Sequence, residues 1–279
     1  KSYRTSISIE TSFILSKSDR ISISFLQNKF LYDTPNERNF DDRDELLSIA
    51  KIRYSRIINP LFEFFISTEG NLNKLVYISA KRSSNNNVNR VLKLTSGGNF
   101  SSNNFSSFNS FEVSANYTVF DFEDLNPNLR SFSFRQFSFV DSSTLKINKN
   151  VDLKFNGYLK LSEQGDFKWK DFKTRPIRFL EEIYFLTYIQ SRYNKIITSI
   201  GLRKFSLKTF SYQAANKKID SYYSSVGPYS SISYFILEKI NLSVSGWYDF
   251  IEVTNQGRTN QATLYIDLRS EERRVGKEC

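Results

Sequence analysis

"YRTSISIETSFIL", residues 3–15, alternates from end to end. Tyr3, Thr5, Ile7, Ile9, Thr11, Phe13 and Leu15 fall on one face of an extended chain. Arg4, Ser6, Ser8, Glu10 and Ser12 fall on the other. A helix, with its period of about 3.6, would scatter both sets around its circumference. The stretch is a strand, and it is longer than the usual length of about five or six residues.

The pattern recurs along the chain. "FEVSANYTV" (111–119) sets Phe111, Val113, Ala115, Tyr117 and Val119 against Glu112, Ser114, Asn116 and Thr118. "VDLKFNGYLKL" (151–161) sets Val151, Leu153, Phe155, Leu159 and Leu161 against Asp152, Lys154, Asn156 and Lys160. "INLSVSGWYDF" (240–250) sets Ile240, Leu242, Val244, Tyr248 and Phe250 against Asn241, Ser243, Ser245 and Asp249. Dyad alternation over ten or more residues is the pattern of transmembrane barrels. Two-sheet sandwiches also alternate, but over shorter strands.

Turn lengths point the same way. "NKN" (148–150), "SRYN" (191–194) and "EK" (238–239) are short, and the connections that follow each in turn, 163–176, 211–225 and 254–260, read as long. Such parity follows when one barrel end carries tight turns and the other carries long loops. Asn59-Pro60 reads as a bulge within a long strand, since proline cannot donate to a ladder. The expected strands are then 3–15, 20–32, 46–68, 72–82, 89–100, 105–120, 131–147, 151–163, 177–190, 195–210, 226–237, 240–253 and 261–268. The fold class is all-β, an antiparallel up-and-down transmembrane β-barrel fragment with about 13 visible strands. The first visible connection is short, so at least one strand is expected upstream, which makes 14 or more in the full protein.

The chain has no His, and its only Cys is Cys279. Imidazole-dependent nucleophilic sites, the usual Cys/His zinc sites and disulfide staples are thereby excluded. No P-loop, Rossmann glycine fingerprint, EF-hand loop or nucleophile elbow occurs. No catalytic, cofactor-binding or metal-binding residue is assigned, no cofactor is expected, and the chain does not read as an enzyme. The terminal "RSEERRVGKEC" (269–279) breaks with everything before it. It resembles the conceptual translation of a common short-read sequencing adaptor. The domain reading is one barrel domain over 1–268, truncated at its N-terminus and just before its C-terminus, followed by a non-native tail at 269–279. Without the tail, which holds four basic and three acidic residues, the formal charge falls from +10 to +9.

Charge and aromatics then take positions. Arg53, Arg135, Lys154, Lys160, Arg178 and Arg203 lie on polar faces and are expected to point into the lumen, because charge on the lipid face is costly. Phe120, Phe122, Trp169, Phe172, Tyr222 and Tyr223 lie at expected strand ends or in long loops, where barrels place aromatic girdles. A nucleic-acid partner does not fit, since the basic residues are spread over every strand rather than clustered.

In this pattern, from Lys1 to Leu268, the chain resembles large, aromatic-rich outer-membrane β-barrels of double-membraned bacteria. The resemblance implies a bacterial outer-membrane location, the lipid bilayer and outer-membrane lipid as surroundings, and the barrel-assembly machinery as partner. It implies a conduit for a small-molecule or ion solute, or a surface-exposed barrel for binding or assembly. The alternatives are the barrel part of an energised, plug-containing receptor, or a soluble secreted β-rich binding protein.

Overall fold

The computed structural model describes residues 1–36, 38–126, 128–213, 216–237 and 240–270. Thirteen strands form one sheet in strict chain order. They are β1 (Ser2–Ile14), β2 (Asp19–Tyr32), β3 (Arg43–Asn59), β4 (Phe62–Tyr77), β5 (Asn87–Ser101), β6 (Phe105–Phe120) and β7 (Phe132–Lys146). The order continues through β8 (Val151–Lys168), β9 (Lys173–Tyr193), β10 (Ile196–Gln213), β11 (Asn216–Leu237), β12 (Ile240–Val253) and β13 (Gly257–Ser270). Every neighbouring pair is antiparallel. The sheet is open, with β1 and β13 at its two edges.

The two faces are inside-out relative to a soluble protein. Only Phe65, Tyr117, Phe167 and Ile251 are buried large apolar side chains among the described residues. Ser67, Ser138, Asp152, Ser162, Ser225 and Asp249 are buried instead. Leu92, Val113, Ile200 and Leu264 are 53–72% exposed. A soluble chain would reverse that distribution. Side chains converge on the concave face of a curved sheet and splay on the convex one. The crowded polar face is therefore the inner one, and the spread apolar face is the one built for lipid.

Three expectations are corrected. The chain turns at Asn59-Pro60, with the ladder slipping by one residue at Ile58 just before the turn, and the expected connection at 69–71 lies inside β4. Leu61 N–H donates to Asn59 Oδ1 at 2.9 Å, so the asparagine side chain closes the turn while proline needs no donor. One turn replaces another, and the count stays at thirteen. Next, the long connections expected at 163–176 and 211–225 are mostly ladder. β8, β9, β10 and β11 run for 18, 21, 18 and 22 residues, where about ten cross a bilayer. They carry the wall beyond the membrane. Lastly, β13 pairs through Arg269 and Ser270, opposite Asn241 and Ile240, two residues past the expected boundary. Residues 271–279 of the adaptor-like tail lie outside the described residues.

Close approach of backbone explains one glycine. A Cβ on Gly97 would come within 2.2 Å of the Asn109 carbonyl oxygen and 2.7 Å of Phe65 Cζ. Phe65 is 3% exposed and stacks on Phe108, with ring centroids 6.1 Å apart. Gly97→Ala is expected to cost about 1–3 kcal/mol through overpacking. Urea titration of the vesicle-inserted protein measures this, and an unchanged midpoint would show that the neighbouring strand and the ring both yield freely.

Candidate functional site

Alternation places every second side chain of each strand on the inner face, and the register lines these up from strand to strand. Lys51 lies opposite Glu69, and Glu69 opposite Lys93. The Lys51 and Lys93 ammonium groups stand 3.9 and 4.0 Å from the Glu69 carboxylate, and Lys93 also reaches Glu112 at 3.9 Å. Four adjacent strands thus carry a ladder of alternating sign. Its members are only partly covered, and pairs so open to water are worth about 0–1 kcal/mol each. Their effect is to fix a local field rather than to hold the fold.

Further along the wall, rings join the charges. Lys160 pairs with Glu182 at 3.4 Å and lies over the Tyr158 ring at 4.5 Å. Tyr158 stacks on Tyr184 at 5.3 Å, and Tyr188 meets Tyr229 at 5.8 Å. Arg203 stands 3.5 Å from Asp249 and 4.5 Å from the Trp247 ring centroid. Phenols, an indole and paired charges can together hold a polar solute by hydrogen bonds and stacking.

The sequence-predicted charges divide. Arg53 lies on the inner face with its guanidinium 4.0 Å from the Phe65 ring centroid. Lys154 is inner too, opposite Thr144 and Tyr188. Lys160 and Arg203 belong to the clusters above, and Arg178 sits opposite Gln164 and Ser211. Arg135 does not join them. It lies opposite Ala115 and Glu163 and shares the parity of Phe137, which puts it on the outer face. There it approaches Glu163 at 4.0 Å and donates to Thr174 at 3.0 Å. The sequence misleads because "FSFRQFSF" (132–139) changes the parity of its phenylalanines at Arg135 while the ladder does not slip.

Of the aromatics, Phe120 ends β6 and Phe122 is the second residue of the following loop. Trp169 and Phe172 occupy the turn between β8 and β9, packed edge-on at 6.1 Å. Tyr222 and Tyr223 lie well inside β11, opposite Lys208 and Leu207, rather than at a strand end. Tyr223 faces inward, its ring 5.8 Å from Phe205. At the loop side Lys170 binds Asp124 at 2.7 Å, and the lysine's hydrogen bond and charge hold that carboxyl below its ordinary range. This contact is therefore present near neutral pH and is lost as acid protonates Asp124.

Trp247 and Asp249 are inner-face residues beyond the charges expected from the sequence to point into the lumen. Both share the parity of Asn241, Ser243 and Ser245 in "INLSVSGWYDF", and that parity alone marks them as polar-face residues.

An open antiparallel wall with an apolar outer face and a charged, ring-studded inner face is the architecture of an outer-membrane β-barrel. Solved structures agree. The chain is similar to the ferric preacinetobactin receptor of Acinetobacter baumannii, with TM-score 0.65 and 9% identity over 96% of this chain and 50% of that one. It is similar to the ferric enterobactin receptor of Pseudomonas aeruginosa, with TM-score 0.55 and 8% identity over 90% of this chain and 51% of that one. The ferric yersiniabactin uptake receptor of Yersinia pestis gives TM-score 0.53 and 11% identity over 97% and 56%. The chain spans about half the length of these receptors. At such identities the likeness is one of fold. No family model matches the sequence, and no curated protein matches it.

Proposed function

We propose that the chain is part of the barrel wall of an energised outer-membrane uptake receptor of the TonB-dependent kind. In this reading the inner face meets a small polar solute, and ferric chelates are the first class to test. The observation that carries it is the whole-length fold likeness to half a ferric-chelate receptor, at TM-score 0.65. The role is non-enzymatic. Insertion would use the barrel-assembly machinery, and the outer face would contact outer-membrane lipid.

A second reading, a passive conduit, draws on Lys154, an inner-face charge with no ion pair among the described residues. One experiment separates the two. The complete protein is reconstituted in planar bilayers and also expressed in cells that lack their own ferric-chelate receptors. A receptor is expected to restore growth on a ferric chelate and to show no steady conductance. A conduit would conduct at once, and Lys154→Glu would shift its preference toward cations. Steady conductance without chelate-dependent growth would overturn the receptor reading.

A further inference from the structure

The outer face carries a groove that the proposed transport role does not use. Its floor is Phe25, Ala50, Gly70 and Leu92, one register row across β2 to β5. The turn between β8 and β9 reaches over the loop-side end and brings Phe172 within 5.4 Å of Tyr117, ring to ring. The groove's volume is about 330 Å³. Phe172 is held at φ 47°, a conformation that L residues adopt rarely and aromatic ones more rarely still. Such strain persists only where the surroundings enforce it. Here it sets the aromatic roof over the groove.

Arg90 stands at the roofed end. Its guanidinium carbon lies 4.1 Å from the Trp169 ring centroid. Nη1 is buried and has no hydrogen-bond partner among the described residues. Arg135 and Arg203 also bury an unpartnered nitrogen, but each has a carboxylate within 4.0 Å. Among the described residues Arg90 has none. A cation with no carboxylate partner among the described residues therefore sits at the end of an apolar channel, on the face that meets the bilayer. It also sits near the start of β5, on the side of the connections at 33–42, 78–86 and 121–131, and the longer connections mark the outer-leaflet side in barrels of this kind.

We infer that the groove holds one phosphate-bearing lipid of the outer leaflet. An acyl chain lies along Phe25, Gly70 and Leu92, and the phosphate sits against Arg90. The apolar floor suits an alkyl chain and offers a free solute little to bond with. The guanidinium gains the charge-assisted hydrogen bonds it lacks, and a guanidinium fork matches phosphate geometry. The site rests on the lipid-facing placement of this side of the wall and is independent of whether the lumen serves a receptor or a conduit.

The test uses full-length protein extracted from outer membranes in mild detergent. Native mass spectrometry reads bound lipid, with lipid A (a bis-phosphorylated, multiply acylated disaccharide) as the added probe. Diacylglycerol, which has acyl chains but no phosphate, and inorganic phosphate, which has no acyl chain, are the controls. One lipid A per chain is expected, with neither control displacing it. A Cβ at Gly70 would meet only Leu92 Cδ2, at 3.9 Å, so a larger side chain fills the groove without striking backbone. Gly70→Leu and Arg90→Gln are each expected to lower lipid A occupancy at least tenfold. Should Arg90→Gln fail to fold, Gly70→Leu decides alone. Retention of lipid A by Gly70→Leu at the wild-type level, or its displacement by inorganic phosphate, would overturn the site.

Discussion

Arginine at position 113 is expected to destabilise the inserted wall by about 2–4 kcal/mol, depending on its depth in the bilayer. Val113 is 53% exposed on the outer face. Leu94 and Phe137 lie opposite it in register, and Phe111 is two residues along the same strand. In a soluble protein so open a valine would accept a charge within about 0.5 kcal/mol. The size of the loss therefore separates a lipid face from a watery one. Thr95, opposite Ser67 and Glu112, supplies the inner-face control. Thr95→Arg gains a carboxylate neighbour and is expected to change stability by less than about 1 kcal/mol. Urea unfolding from phospholipid vesicles gives both values. Equal losses at 113 and 95 would mean that the two faces are not distinguished by lipid.

Why the architecture could be read is visible in β1, β6, β8 and β12. Each keeps one apolar and one polar face over nine or more residues, and only a two-residue period satisfies both. Where reading failed, the local signal had two physical meanings. Gly70-Asn71 looks like a turn, yet Gly70 lies mid-strand beneath Leu92, where small size leaves the groove open. Asn59-Pro60 is compatible with an edge bulge or a turn, and only the Asn59 side-chain bond to Leu61 decides. Strand ends above the bilayer were obscured for a different reason. Past the apolar band both faces become polar, so alternation ceases to be a signal while the hydrogen-bond ladder continues through β9 and β11.

The inner face was legible as parity but not as pairing. Lys160 and Arg203 were identifiable from their own strands. Their partners Glu182 and Asp249 lie on other strands, 22 and 46 residues away, and only the register brings them together. Arg135 shows the converse. Its strand looks alternating, but its face is set by Ala115 and Glu163 on either side. The lipid groove was illegible altogether, because it depends on a turn at 169–172 folding back over β5 and β6.

Removal of the Arg203 charge is expected to cost about 3 kcal/mol or more, because it strands a buried carboxylate on the inner face. Asp249 is 5% exposed, and its Oδ1 has no hydrogen-bond partner among the described residues. The guanidinium 3.5 Å away is its main compensation. The pair spans a whole strand, since Arg203 is on β10 and Asp249 on β12. Gly227 of β11 lies directly opposite Arg203 and presents no side chain to block the crossing. A Cβ there would come within 1.7 Å of the Tyr248 carbonyl oxygen. Arg203→Leu therefore leaves a carboxylate buried and alone, beside a Trp247 ring that has lost its cation. Arg203→Leu combined with Asp249→Leu removes both charges and is expected to recover most of the loss, as apolar replacement of buried pairs does. Lys154→Leu, on the same face with no ion pair among the described residues, should stay within about 1 kcal/mol of the parent. The three variants are compared by urea unfolding in vesicles. If Arg203→Leu costs no more than Lys154→Leu, water already screens the pair, and this stretch of wall is held by its backbone ladder alone.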